Sequence, residues 1–451
     1  MIILAGNAFR RPNILFVGRS PLAVGRDDAL NSRPTANGER PTNYNPRSMA
    51  APAPAREPLF SLRFAMLWAY AFITFFSAFQ LLPAIPLHIL ELGGSKAEAG
   101  WFLTVYTLCS AFAAPVMGTI ADHVGRRRLL ITASILFVGF SVAYGVIHDL
   151  RLLLLVGAIH GSMWSGILAS ASAIMSEFIP ESRRAQGLAW WGLSSTAAVS
   201  LAPAAGLWIF HLFGWVNLCI ELAALSTMMA IWALILPARD RPSGGGRLAI
   251  HDSWDWRVIK TTLSFAVMSF GYGGVTSYTA IMAIEHHIKP EAIYLTTFAA
   301  TIVVTRVSLS HLADRVGIKA VLYPSLALAP IAFAILAVSK VRWEMMTSAI
   351  LFGICFGLAY PAFATFILGN TDPLRRARTF GSMVWAFDTG LGTGSFAIGA
   401  IGQRYGLGAA FGFAAALSCL AIPIFAWTSR GLAAGGTSLA GEVKHVSSAE
   451  Q

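Results

Sequence analysis

Along this chain, apolar residues come in long unbroken runs, and polar residues gather in the short gaps between them. Each run is about twenty residues long, enough for a helix to cross a hydrocarbon core. Lipid offers the backbone no hydrogen-bond partner, so only helices or closed barrels cross it. A barrel would show short alternating strands, and these runs do not alternate. The pattern predicts an all-α membrane protein with twelve transmembrane helices, near 62–87, 99–121, 128–147, 151–178, 185–210, 216–237, 259–284, 292–312, 319–339, 344–368, 378–400 and 407–429.

The polar gaps carry a second message. In GTIADHVGRRRLL (Gly118 to Leu130) an Asp and then three Arg interrupt an apolar run, and a related stretch returns as SHLADRVGIKAVL. Asp122 and Asp314 lie 192 residues apart, as do Gly125 and Gly317. The same offset relates Arg183-Arg184-Ala185 to Arg375-Arg376-Ala377, and Gly157 and Gly161 to Gly353 and Gly357. The last four form two small-xxx-small pairs, which let helices approach closely. Two pseudo-symmetric six-helix bundles are therefore expected, over 59–237 and 258–430. Such a repeat places a ligand site at its own interface. Between them, 238–257 reads as a hydrophilic linker, rich in Pro, Gly and charge. Residues 1–58 read as a disordered cytoplasmic tail, or as an extension upstream of Met49, and 431–451 as a second cytoplasmic tail.

Charge sets the orientation. The gaps after even-numbered spans hold fifteen Lys and Arg, and the opposite gaps hold six. The positive-inside bias puts the basic loops and both termini in the cytoplasm. Only 12% of residues are charged, against roughly a quarter in soluble domains. The net charge of +11 is scattered between spans and in the tails, which argues against nucleic acid as a partner. The four cysteines lie in apolar runs without CxxC spacing, so neither a disulfide framework nor a metal site is expected. No HExxH, GxSxG or phosphate-binding glycine loop is present, so no enzyme chemistry and no cofactor is indicated.

An Asp at the end of span two faces the unfavourable end of its own helix dipole. Its place makes sense if Asp122 meets the start of span eleven, Arg378 to Gly381, while Asp314 meets the start of span five. With Gly118, Gly125, Arg126, Arg315 and Gly317, the two acids would latch the halves together on the cytoplasmic side, Gly118 letting the backbones approach. At these residues the chain resembles the major facilitator superfamily: GTIADHVGRRR is similar to the signature between helices two and three, and ADRVGIK to its weaker second copy. FGLAYPAF (Phe356 to Phe363) and WAFDTGLGTG (Trp385 to Gly394) are similar to members near the drug:proton antiporter branch. The resemblance implies alternating access and a cavity lined by spans one, four, seven and ten. The chain departs from the antiporter pattern in span four, where Gly157 replaces an Arg, and in span five, which reads Ala202-Pro203-Ala204-Ala205-Gly206.

Charges inside the bilayer are costly and mark function by default. Arg306 and Asp388 lie at similar depth, about 12 and 15 Å from the cytoplasmic ends of their helices. They are expected to pair, with Asp388 as the proton carrier, against the plainer reading of a static ion pair. Glu221 reads as an interfacial residue on a peripheral helix. The candidate cavity wall is aromatic and amphipathic: Gln80 with Phe72, Phe75, Phe76 and Phe79, then His160 and Trp164, Tyr272 and Tyr278, and Tyr360. Glu285-His286-His287 reads as an exposed loop rather than a weak metal site. The function indicated is proton-driven efflux of small amphipathic organic compounds by a monomer in the cell (inner) membrane. An uptake symporter or an uncoupled facilitator is the alternative.

Overall fold

The structure, a computed structural model, describes residues 60–180, 183–236, 256–309, 312–369 and 376–429. The expected N-terminal tail, most of the linker and the C-terminal tail lie outside the described residues.

In chain order the helices are α1 (Leu62–Glu91), α2 (Lys96–Val124), α3 (Arg126–Val146), α4 (Leu150–Phe178), α5 (Arg184–Phe213) and α6 (Trp215–Ile235). The second half runs α7 (Trp256–Glu285), α8 (Ile293–Leu309), α9 (Leu312–Val316), α10 (Ile318–Val338), α11 (Arg342–Gly369), α12 (Arg376–Tyr405) and α13 (Leu407–Ser418). Span eight is thus α8 with the short α9, and span twelve continues past a turn at 419–420 to Ser429. Helix α7 begins at Trp256, inside the stretch expected to be linker.

Polar side chains cap several helices at their N-termini. Ser61 accepts a hydrogen bond from the Phe64 amide and Asp149 from the Leu152 amide. Ser95 and Glu98 form a reciprocal capping box at the start of α2. At four places the chain turns from one helix into the next through a single residue: Gly125, Gly214, Gly317 and Gly406, with φ of 106°, 82°, 90° and 85°. That region of backbone space penalises any side chain, so glycine fits there. Gly214 and Gly406 share the 192 offset, as Gly125 and Gly317 do, so the repeat extends to backbone joints.

Eight helices are long and apolar enough to cross a membrane by length and composition. Outside that group fall α2, α7 and α12, which are more polar, and α8, which has 17 residues. The reason lies in packing. Helix α12 lies along both α2 and α7, and α5 lies along α8. These helices build the seam between the halves, so part of their surface faces protein rather than lipid. Within each half, α4 packs on α2 and α11 on α8 in related ways. A Cβ on Gly161 would stand 2.0 Å from the Tyr106 carbonyl oxygen, and one on Gly353 would stand 2.7 Å from Thr301.

The seam is closed at the end away from the basic loops. Lys96 forms an ion pair with Glu285 there, and its amide donates to Gln403 Oε1 at 2.9 Å. The Tyr278 hydroxyl donates to the Lys96 carbonyl at 2.8 Å, and Thr104 to the Gly392 carbonyl at 2.7 Å. Trp101 packs on Phe396 with ring centroids 4.6 Å apart.

Candidate functional site

Halfway along the seam, two charged side chains of the second half reach across to the first. Asp388 on α12 is half-buried and accepts a hydrogen bond from Ser110 on α2 at 3.3 Å. Arg306 on α8 donates through Nη1 to the Thr196 hydroxyl on α5, while its Nε is buried without a partner. The expected direct pairing of Arg306 with Asp388 is not formed. Each side chain is turned by its own helix toward the facing half rather than toward the other charge. Tyr360 on α11 interacts electrostatically with both. Tyr106 on α2 lies in the field of Asp388, and its hydroxyl is buried and unpartnered, as is that of Thr389. Leaving such a group unsatisfied costs roughly 1–3 kcal/mol, so these are positions where a polar ligand or water is stabilising.

Ser110, Thr196 and Tyr106 escape the sequence reading, because neutral hydroxyls in membrane helices are common. One signal was available: Thr196 and Asp388 are 192 residues apart and so occupy equivalent places on α5 and α12. The repeat therefore presents a hydroxyl at one copy and a carboxylate at the other.

Aromatic rings flank the charges. Tyr272 packs against Phe356 at 5.0 Å, Phe298 at 5.5 Å and Phe387 at 6.1 Å. Tyr360 meets Phe387 edge-on at 5.9 Å. On the first half, Trp164 meets Phe75 edge-on at 5.0 Å, and Trp68, Phe72 and Phe76 stack along one face of α1. A small recess between the halves is lined by Phe79, Ser200, Pro203, Tyr272, Thr276 and Phe298 among others.

Tyr272 and Tyr360 thus stand near the middle of the seam, Trp164 meets α1 within the first half, and three other cavity candidates are engaged elsewhere. Gln80 is fully buried and bonds Glu221 on α6, because its face of α1 looks into its own half. His160 is enclosed by Tyr106, Phe137, Phe140 and Tyr144, and its Nδ1 bonds the Tyr144 hydroxyl at 3.0 Å. Tyr278 belongs to the closed end of the seam. Glu285 is engaged by Lys96, and no group of three potential ligands able to hold a metal occurs among the described residues.

For the latch, the side chains of Asp122 and Asp314, and those of Arg378 to Gly381, lie outside the described residues. No described atom lies within 4 Å of where a Cβ on Gly118 would stand, and its expected neighbour, the start of span eleven, has no described side chains. Arg126 forms an ion pair with Glu177 on α4, within its own half, at 2.9 Å. Arg315 is exposed, and Gly125 and Gly317 are the joints described above.

Comparison with known proteins fixes the class. The profile of the Major Facilitator Superfamily matches residues 67–289 and 261–448, most of the chain. The chain belongs to this superfamily. It is a transmembrane transporter of small molecules, multi-pass in the membrane, and not an enzyme. This transporter is 24% identical over 385 residues to the multidrug resistance protein MdtG of Proteus mirabilis, covering 81% of the chain and 94% of that protein. It is 21% identical over 240 residues to the quinolone resistance protein NorA of Staphylococcus aureus, covering 51% of the chain and 60% of that protein. Among solved structures, a bacterial homologue of the human lysosomal transporter Spinster superposes with a TM-score of 0.68 at 15% identity, over 83% of this chain and 98% of that one. That likeness supports the fold.

Proposed function

We propose that this transporter exports small amphipathic organic compounds in exchange for protons. It sits in the cell (inner) membrane as a monomer, with the basic loops and both termini in the cytoplasm. Its two bundles, 59–237 and 258–430, rock about the seam, joined by the linker 238–257 and flanked by the tails 1–58 and 431–451. The relatives that carry drug-resistance names support the substrate class and the direction, and the loop charges support the orientation.

One observation carries the reading: a carboxyl group, Asp388, sits inside the membrane on the surface between the halves and is held by a residue of the facing half. An ionised Asp388 accepts a hydrogen bond, whereas a protonated one also donates and carries no charge. The seam contact therefore differs between protonation states, which is what a coupled carrier requires. Arg306, held by Thr196 on the other helix pair of the seam, places a second charged side chain between the halves. With the outer end sealed by Lys96, Tyr278, Glu285 and Gln403, the structure corresponds to a state closed to the outside. The aromatic wall of Tyr272, Phe356, Tyr360 and Phe387 offers apolar faces with few polar groups, as amphipathic compounds need.

Everted membrane vesicles test this. With an imposed proton gradient, the wild type accumulates amphipathic dyes, and substrate addition drives proton flux. In Asp388→Asn both fall at least tenfold while membrane insertion is unchanged. Retention of full substrate-driven proton flux in the variant eliminates Asp388 as the carrier of the proton.

A further inference from the structure

A second carboxyl group lies on a helix long and apolar enough to cross the membrane, and nothing in the proposed transport cycle uses it. Glu221 stands six residues into α6, about 9 Å along the helix from its end. It is half-buried on a helix that packs on α3, α1 and α5. Its one hydrogen bond comes from Gln80 Nε2 on α1, which donates to Glu221 Oε1 at 3.1 Å. Two atoms of this pair are left over: Gln80 Oε1 and Glu221 Oε2 are both buried, and neither has a partner. Both are acceptors when the carboxyl group is ionised. An ionised Glu221 therefore leaves two buried acceptors on hydrogen-bonded neighbours, with no donor for either. Among the described residues, no Lys, Arg or His of α1, α3 or α5 forms an ion pair with Glu221.

A single proton resolves both defects. Placed on Oε2, it turns that atom into a donor toward Gln80 Oε1, while Gln80 Nε2 keeps its bond to Oε1 of the acid. The two side chains then close a ring of two hydrogen bonds. Gln80 is fully buried, and its main chain lies close to α5, where a Cβ on Gly206 would stand 2.6 Å from its backbone carbonyl oxygen. We propose that Glu221 is a proton-binding site, occupied and neutral, whose acid–amide ring with Gln80 ties α6 to α1. All three helices involved belong to one half, so rocking about the seam does not break the ring. The proton stays in place through the cycle and is not counted among those transported. That last clause rests on the rocking cycle proposed above; the protonation of Glu221 does not.

Infrared spectroscopy of the purified full-length chain in lipid tests both clauses. At neutral pH the wild type shows the C=O stretch of a protonated carboxyl group, and Glu221→Gln loses it. Asp388→Asn retains it, which separates this site from the coupling site. Gln80→Leu, which removes the partner and keeps the acid, shifts the band to higher frequency and serves as the readout should Glu221→Gln fold poorly. In vesicles, Glu221→Gln keeps the wild-type ratio of protons to substrate, because an amide in its place preserves both hydrogen bonds. A carboxyl region unchanged by Glu221→Gln, or by Gln80→Leu where that variant is the readout, overturns the protonated acid. An altered proton-to-substrate ratio overturns the claim that its proton stays behind.

Discussion

Tyr278 shows how one hydroxyl group reports on the conformational balance. Its hydroxyl donates to the Lys96 carbonyl across the closed end of the seam, and the side chain sits between Gly100 and Gly399, where a Cβ would fall within 2.3 Å of that oxygen. Tyr278→Phe deletes the bond and keeps the ring. A net hydrogen bond is worth about 1 kcal/mol, roughly a fivefold change in the ratio of closed to open molecules. Outer-end cysteine probes should accordingly label several times faster in the variant, with little change in thermal stability. At this scale the sequence was informative about which charges matter and silent about what they touch. Arg306 and Asp388 stood out because charges in a span are rare. Their partners, Thr196 and Ser110, depend on which way each helix is rotated at the crossing, and depth along a helix does not encode rotation. Gln80 and His160 failed as cavity residues for the same reason: polar groups inside a span need partners, and these found them within their own half.

Among the helices, the repeat is written most clearly in its joints. Gly125, Gly214, Gly317 and Gly406 each connect two helices through one residue with positive φ. Replacing Gly125 with Ala strains that backbone by about 1–2 kcal/mol, and a drop in melting temperature of the detergent-solubilised protein is expected. Gly161→Ala should be worse, since its new methyl group would press on the Tyr106 carbonyl oxygen at 2.0 Å and push α4 off α2. Its measurable outcome is loss of monodisperse protein in size-exclusion chromatography. The spans themselves were legible to within a few residues, because lipid imposes a length that sequence must meet. Helix ends were less so. The capping box of Ser95 and Glu98 starts α2 at Lys96, and an apolar-run reading that begins at 99 stops short of it.

For the whole molecule, the two halves and their relation by 192 residues followed from repeated motifs, whereas the seam did not. The seam is built from α2, α5, α8 and α12, and which of their faces meet depends on helix rotation, which no motif records. Its closed end depends on the ion pair between Lys96 and Glu285. Lys96→Glu should therefore open that end and slow turnover through repulsion. The double variant Lys96→Glu with Glu285→Lys should recover most of the rate, which vesicle transport assays at low and high salt would show. Recovery is expected to be greater at low ionic strength, because partly exposed charges are screened by salt.

The single-glycine joints have a mechanical consequence. A connector one residue long has no slack, so a push on α2 reaches α3 undiminished, and likewise from α5 to α6, α9 to α10 and α12 to α13. An epitope tag or a second protein spliced at Gly125 or Gly317 would pry apart neighbours that are stitched end to end.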